Sequence, residues 1–500
     1  MVEIVLFMEE IKALVRITAD DNNVNLLFPQ ANKNNKEGML YQNLLTDVYS
    51  DDAIASKDLY NSHPNDVKYK MLKHRLKKKL YNNLFFFDYS KQKLKKAHQK
   101  EQECIHLLHH AHLLLRLYER DIALNLTSKV KSIAKDYEYI NYLIDALELE
   151  MTNFSDKGDL TKYNSAREEL EYYLYIKKYE REAITLFQLL RIQLKKSVKS
   201  RRGNLLTFEE DLVRLKLLWQ KTKSYETFNA YYKANIIYHE MTGDFSSIVD
   251  LTVHSEELLQ AGQVNKIRFD ADFNKYILVY AHLRAKKLER GLKYAAEFLY
   301  AFEEDNPNWF AYMENYFLLA LYTRNYLLVE TLLHKVFNNP SFKKQQGAAK
   351  ERWTLYQAYF LLLNSTVANF NNSINPFLLS LPEYSKDKQG FNVAILILQF
   401  IHYLQKKDTE ALLYRIESLK KYILTHLKET FSLRSKTFLK LLILTVTEDY
   451  DAKSSRTKGQ KLYQKLVEAP TPGDAFAEIE IVPYEHLWDH ILFILENKYQ

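Results

Sequence analysis

Apolar residues along this chain recur every three to four positions between short polar breaks, the spacing of helices that bury one face. The pattern is plainest from Phe273 to Pro340. There FNKYILVYAHLRA, a break at KKLER and GLKYAAEFLYAFEED predict one helix–turn–helix unit, closed by Asn306-Pro307. NWFAYMENYFLLALY, a break at TRN and YLLVETLLHKVF predict a second, closed by Asn339-Pro340. A proline stops a helix because its ring removes an N–H and clashes with the turn before it. The same rhythm runs upstream. CIHLLHHAHLLLRLYER pairs with DIALNLTSKVKSIAKDY, and EYINYLIDALELEMTN with LTKYNSAREELEYYLYI. KKYEREAITLFQLLRIQLKK, a basic loop Lys199–Gly203, FEEDLVRLKLLWQKT, YETFNAYYKANIIYHEM and FSSIVDLTVHSEELLQA follow. Beyond Pro340 come AAKERWTLYQAYFLLLNST, a looser connection from Asn371 to Pro382, and FNVAILILQFIHYLQ. Leu412, Ile416, Leu419 and Ile423 then keep one face apolar. DAKSSRTKGQK (451–461) is polar and expected to be mobile, Thr471-Pro472-Gly473-Asp474 reads as a turn, and EIEIVPYEHLWDHILFILENKY as a short extended piece followed by a final helix.

The first hundred residues read differently. Residues 1–37, with the Asn-rich DDNNVNLLFPQANKNNKEG, suggest an arm. Residues 38–100 suggest a basic unit of three helices, possessing a helix-turn-helix-like character. Asp51 is placed to cap AIASKDLY, and Asn61–Asp66 breaks the chain before VKYKMLKHRLKKKLYNNLFFF. On that third helix Met71, Leu72, Leu76, Leu80 and Leu84 make an apolar stripe, and Lys73, Arg75, Lys77, Lys78 and Lys79 stand among the remaining positions. The lysines of KQKLKKAHQK continue the basic run. Such a face can contact nucleic-acid phosphates, or it can be a solvated helix surface.

Composition narrows the class. The 500 residues contain only 10 Gly and 9 Pro, and no proline lies between Pro64 and Pro307. Folds of many strands need more turn residues than that. An all-α chain is expected, divided as 1–37, 38–100, a repeat region 101–450 and a capping segment 451–500. No two glycines are close neighbours, so a phosphate-cradling loop, a dinucleotide fingerprint and a nucleophile elbow are missing from the sequence. The single cysteine, Cys104, excludes an internal disulfide framework and fits a reducing, cytoplasmic setting. The runs VAILILQFI and LLILTV fall short of the roughly 20 residues that span a bilayer, and no signal peptide is read at the start. The net charge of +7 is mild for this length.

The central hairpins resemble tetratricopeptide repeats. Ala320 stands near the end of a first helix, Asn325-Tyr326 makes the turn, and Val329, Leu333 and Val336 take the packing positions of the second helix before Pro340. In the preceding hairpin Leu288, Gly291, Ala295 and Phe298 stand at the same offsets. Met241–Phe245 and Tyr179–Ala183 are weaker copies of the turn. Leu288 to Tyr326 is roughly 38 residues, longer than the period of about 34 in that family. The chain is also similar to a group of helical proteins from Bacteroidota-type bacteria with no assigned activity, through LKHRLKKKLYNNLFF, SKDKQGFNVAILI and IEIVPYEHLW. The repeat resemblance implies an α-solenoid of irregular hairpins with a long surface for a protein or peptide.

Candidate chemistry is sparse. His106 and His110 are one helical turn apart and could share a metal, but His109 and His112 lie on another face and no HExxH motif supplies a base. Cys104 and these histidines therefore read as structural, with no metal, cofactor or catalytic residue assigned. Trp309, Tyr312 and Tyr316 either line a partner groove or pack between hairpins. The expectation is a non-enzymatic scaffold or sensor that binds protein or peptide and has no membrane partner. The alternative is a nucleic-acid-associated regulator that uses residues 66–100.

Overall fold

The computed structural model describes residues 2–19, 35–86, 95–194, 205–364, 392–426, 433–469 and 480–498. All regular structure among them is helical, with 21 α-helices and no strand. None of the helices searched is long and apolar enough to cross a membrane. The Lys199–Gly203 loop, the 371–382 connection, the 471–474 turn and Lys91 and Lys93 lie outside the described residues. The chain divides into two compact units, Met1–Glu171 and Tyr172–Gln500.

The first unit begins with α1 (Val2–Ala19), α2 (Lys36–Leu45), α3 (Asp52–Tyr60) and α4 (Val67–Asn83). Asp51 caps α3 by accepting from the Ala53 and Ile54 N–H groups, and Asp66 caps α4 from Lys68 N–H. These carboxylates satisfy donors that have no partner inside the helix. Residues 1–37, read as an arm, contain α1, whose Met8, Ile11, Leu14 and Val15 are buried with Leu40, Tyr41, Leu72, Leu76 and Leu80 in one core. Then come α5 (Lys96–Arg116), α6 (Arg120–Asp136) and α7 (Ile140–Lys157), each packed on the next and α5 also on α7.

Helix α8 (Leu160–Leu194) corrects the sequence reading. It runs unbroken for 35 residues, about 52 Å at 1.5 Å per residue. The turn read at Tyr179–Ala183 is absent because nothing there ends a helix: the stretch is built of Lys, Glu, Arg, Ala and Tyr, without Gly or Pro.

The second unit holds the later part of α8 and then α9 (Leu205–Thr222), α10 (Tyr225–Thr242), α11 (Phe245–Gln260), α12 (Ala271–Arg284), α13 (Leu288–Glu297), α14 (Pro307–Tyr322), α15 (Tyr326–Phe337) and α16 (Gly347–Asn364). It ends with α17 (Asn392–Lys406), α18 (Thr409–His426), α19 (Leu433–Thr447), α20 (Ala452–Glu468) and α21 (Tyr484–Lys498). From α9 to α21 each helix packs on its successor, and α12 also touches α14, and α17 both α19 and α21. The polar stretch 451–461, expected to be mobile, is the start of α20. Asp451 caps it from Ser454 N–H, and Gly459 lets it approach Leu441, Leu444 and Trp488 closely.

One turn recurs where the sequence offers little warning. Tyr118, Glu138, Lys286, Arg324 and Lys407 all have φ between 51° and 66°. In each case the next residue's N–H reaches back to a carbonyl five positions earlier, as in Lys287 to His282 at 2.9 Å and Asn325 to Ala320 at 2.9 Å. This is the Schellman closure, usually made with glycine because left-handed backbone crowds a Cβ. Gly158, Gly243 and Gly262 fill the same role elsewhere.

Candidate functional site

The basic face of α4 is largely spoken for. Lys73 is buried, and its Nζ donates to Asp52 Oδ1 at 2.7 Å, as does the Tyr69 hydroxyl at 2.7 Å. Lys77 pairs with Glu10 at 2.7 Å, and Arg75 and Lys79 both pair with Glu37. Burial works to raise the Glu37 carboxyl, but its bonds to Lys79 and Arg75 outweigh that and hold it below the usual range. Of the five sequence candidates only Lys78 is exposed without an ion pair among the described residues. Lys73, Arg75, Lys77 and Lys79 each serve a carboxylate on α1, α2 or α3, while the Arg75 and Lys79 side chains remain 51% and 44% exposed.

Trp309, Tyr312 and Tyr316 are core. Trp309 and Tyr312 are 0% exposed and Tyr316 7%. The Tyr312 hydroxyl donates to the Ala295 carbonyl at 2.9 Å, near the end of α13, and its ring stacks on Phe302 with centroids 4.2 Å apart. On α5, Cys104 is buried, and its thiol is pushed up to about 12, by burial first and then by Glu103 and Glu101. His109 and His110 face solvent, and His109 stacks on Phe85 at 5.7 Å. Among the described residues no three His, Cys, Asp or Glu groups are placed to share a metal ion.

A site that sequence reasoning missed lies in the second unit. A cavity of about 590 Å³ is walled by Tyr276, Tyr280, Leu283 and Arg284 of α12, Ala311, Glu314, Asn315, Leu318 and Tyr322 of α14, and Arg352 of α16. Arg434 and Ser435 of α19, Lys286, and Glu480 with Pro483 to His486 complete it. The volume falls in the range of pockets that hold small molecules or peptide side chains.

Arg434 builds the far wall. Its guanidinium is 3% exposed and gives Nε and Nη2 to the two oxygens of Glu480 at 2.9 and 2.7 Å. Nη2 also reaches Glu485 at 2.8 Å, and Nη1 the Leu466 carbonyl at 2.8 Å. Glu480 in turn accepts from Tyr484 N–H at 2.7 Å, which caps α21. Burial pushes the Glu485 carboxyl up, but Arg434 bonding and charge overcome it and leave it below its ordinary value. The guanidinium itself is driven upward, because the two carboxylates outweigh its burial. Tyr484 stacks flat on Phe438, with centroids 4.6 Å apart and an angle of 2°, and its hydroxyl meets Ser435 Oγ at 3.0 Å.

The near wall is equally engaged. The Tyr322 hydroxyl donates to the Glu480 carbonyl, joining α14 to the closing segment. Tyr356 donates to Glu314 at 2.5 Å, and Arg352 approaches the same carboxylate at 3.4 Å. Tyr280 donates to Glu240 at 2.7 Å. Burial raises the Tyr276, Tyr280 and Tyr322 hydroxyls, so they stay protonated, and lowers His486, which stays neutral at pH 7. Among the described residues the Ser435 hydroxyl bonds to that of Tyr484 and to no imidazole or carboxylate. No protein-family profile matches the chain, and neither a curated protein nor a solved structure does.

Proposed function

We propose that the chain is an α-solenoid of irregular tetratricopeptide-like hairpins and acts as a non-enzymatic module that binds a peptide or a segment of a partner protein. The solenoid reading is supported by helices that pack on their successors, by second-neighbour contacts such as α12 on α14, and by the recurring left-handed turn. Its binding site is the cavity walled by α12, α14, α16, α19, Glu480 and Pro483 to His486.

One observation carries the reading. Five charged groups of this wall are committed to one another: Arg434 to Glu480 and Glu485, and Arg352 to Glu314. A reacting site keeps a nucleophile and a base within reach of each other. A recognition site needs a preformed, mostly apolar hollow with fixed polar groups, and a wall that is already bonded meets that need without rearrangement. The nucleic-acid alternative is weakened by the ion pairs that occupy Lys73, Arg75, Lys77 and Lys79.

The test is selection of peptides from a random library by the full chain, with the Ala311→Trp variant as control. Ala311 lines the hollow, so the indole occupies it. Peptides enriched by the wild type and not by the variant support the reading. No enrichment, or enrichment equal in both, overturns it.

A further inference from the structure

Helix α8 docks within the second unit on α9 and α10. Ala183 and Leu190 of α8 share a core with Phe208, Leu212, Leu215 and Leu218 of α9 and Ala230 and Ala234 of α10. Arg214 to Glu182 and Lys221 to the Tyr179 hydroxyl at 2.7 Å hold its rim. Between these two rim contacts stands Glu180, only 1% exposed.

Glu180 is poorly compensated for so buried a carboxylate. It receives the Ser224 hydroxyl at the start of α10, yet among the described residues Oε1 has no hydrogen-bond partner. Lys177, a turn away on α8, is 3.8 Å from Oε2, beyond hydrogen-bond reach. The nearby Thr222 and Thr227 hydroxyls are bonded to each other, at 2.8 Å. Glu226 and Arg268 also act on the site, but they pair with each other, so their charges largely cancel there. An ionised carboxylate with an unsatisfied oxygen costs free energy in such a place, and the neutral acid costs less.

We propose that Glu180 is a proton-operated latch: protonated, it lets α8 seat firmly on α9 and α10, and ionised, it loosens that seat. Burial is the largest influence and raises the carboxyl from the ordinary 4.5 to about 7, against the opposing pull of Ser224 and Lys177. The folded site thus holds its proton more tightly than the open site does. Its stabilisation is complete below the ordinary glutamate value and declines as pH rises towards the folded value. With these two values the opening equilibrium grows about tenfold between pH 6 and pH 8. The latch concerns a helix that runs from one unit into the other, so its proton sets how firmly that helix is held at one end.

Hydrogen exchange of the full chain tests this, with rates corrected for the intrinsic effect of pH. Segments 177–190 and 224–236 are expected to lose about tenfold protection from pH 6 to pH 8, while α14 and α15 do not. Glu180→Gln, a mimic of the protonated acid, is expected to remove the dependence. A wild type with no local loss, or a Glu180→Gln variant with the same loss, overturns the latch. Should Glu180→Gln not fold, the wild-type comparison of the latch segments with α14 and α15 decides alone.

Discussion

Arg434 and Glu480, 46 residues apart in sequence, meet in a two-point contact, Nε to Oε2 at 2.9 Å and Nη2 to Oε1 at 2.7 Å. That contact fixes the segment leading into α21 against α19 and gives the cavity its far wall. Planar guanidinium and planar carboxylate make two parallel bonds that a lysine cannot copy. Arg434→Met should therefore take the guanidinium from the half-buried Glu480 and Glu485 and destabilise the second unit by about 3 kcal/mol. Arg434→Lys should recover only part of this. Urea denaturation followed by tryptophan fluorescence reads both, since Trp488 sits in α21.

The same wall fixes a pH response. Arg434 holds Glu485 below its ordinary value in the folded chain. A lowered folded value means that the unfolded chain takes up the proton first as pH falls. The contribution is then complete above the ordinary glutamate range and lost as pH drops through the folded value. Stability measured by urea from pH 6 down to pH 3 should fall, and the slope should be shallower in Arg434→Met. An equal slope in both proteins contradicts the assignment.

Gly291 faces a tight gap. A Cβ there would lie 2.8 Å from Leu319 Cδ2 and 2.9 Å from His282 Cβ. The gain in helix propensity from alanine is about 1 kcal/mol, and the overpacking cost is typically 1–3 kcal/mol. Since His282 Cβ cannot swing away, Gly291→Ala should be net destabilising, read as a lower thermal midpoint.

In the first unit, Lys73→Met leaves Asp52 buried with, among the described residues, only the Tyr69 hydroxyl as a side-chain donor, and should cost about 3–5 kcal/mol. Lys78→Ala, at an exposed position, should stay within about 0.5 kcal/mol. Denaturation of the two variants side by side separates a structural cation from a solvated one. A Lys78→Ala protein that loses bound nucleic acid on purification would revive the alternative reading.

Cys104 should be inert. Its thiol is buried and raised to about 12, so almost no thiolate is present at pH 7. A disulfide reagent should react slowly with the native chain and rapidly in denaturant. Fast reaction in the native state contradicts the described packing of α5.

What the sequence made legible follows from the range of the forces involved. Asp51, Asp66, Asn306 and Asn325 each accept from backbone N–H groups two or three residues ahead, so a local reading finds the helix starts. The left-handed turns at Lys286 and Arg324 are less visible, because the packing of two helices imposes a conformation that lysine and arginine do not favour. Trp309 and Tyr312 have helical spacing that suits a groove or a core equally, and the neighbouring helices decide between them. The cavity was out of reach: Tyr322 and Glu480 touch across 158 residues, and no periodicity encodes such a meeting. At α8, a few residues resembling a turn outweighed the plain helix-forming composition around them.

The most direct test titrates a library-selected peptide, carrying a fluorophore, against the wild type and Ala311→Trp, with thermal midpoints measured in parallel. Binding in the cavity predicts at least about tenfold weaker affinity in the variant at an unchanged midpoint. Equal affinity in the two proteins would place the peptide elsewhere and contradict the assignment of this cavity.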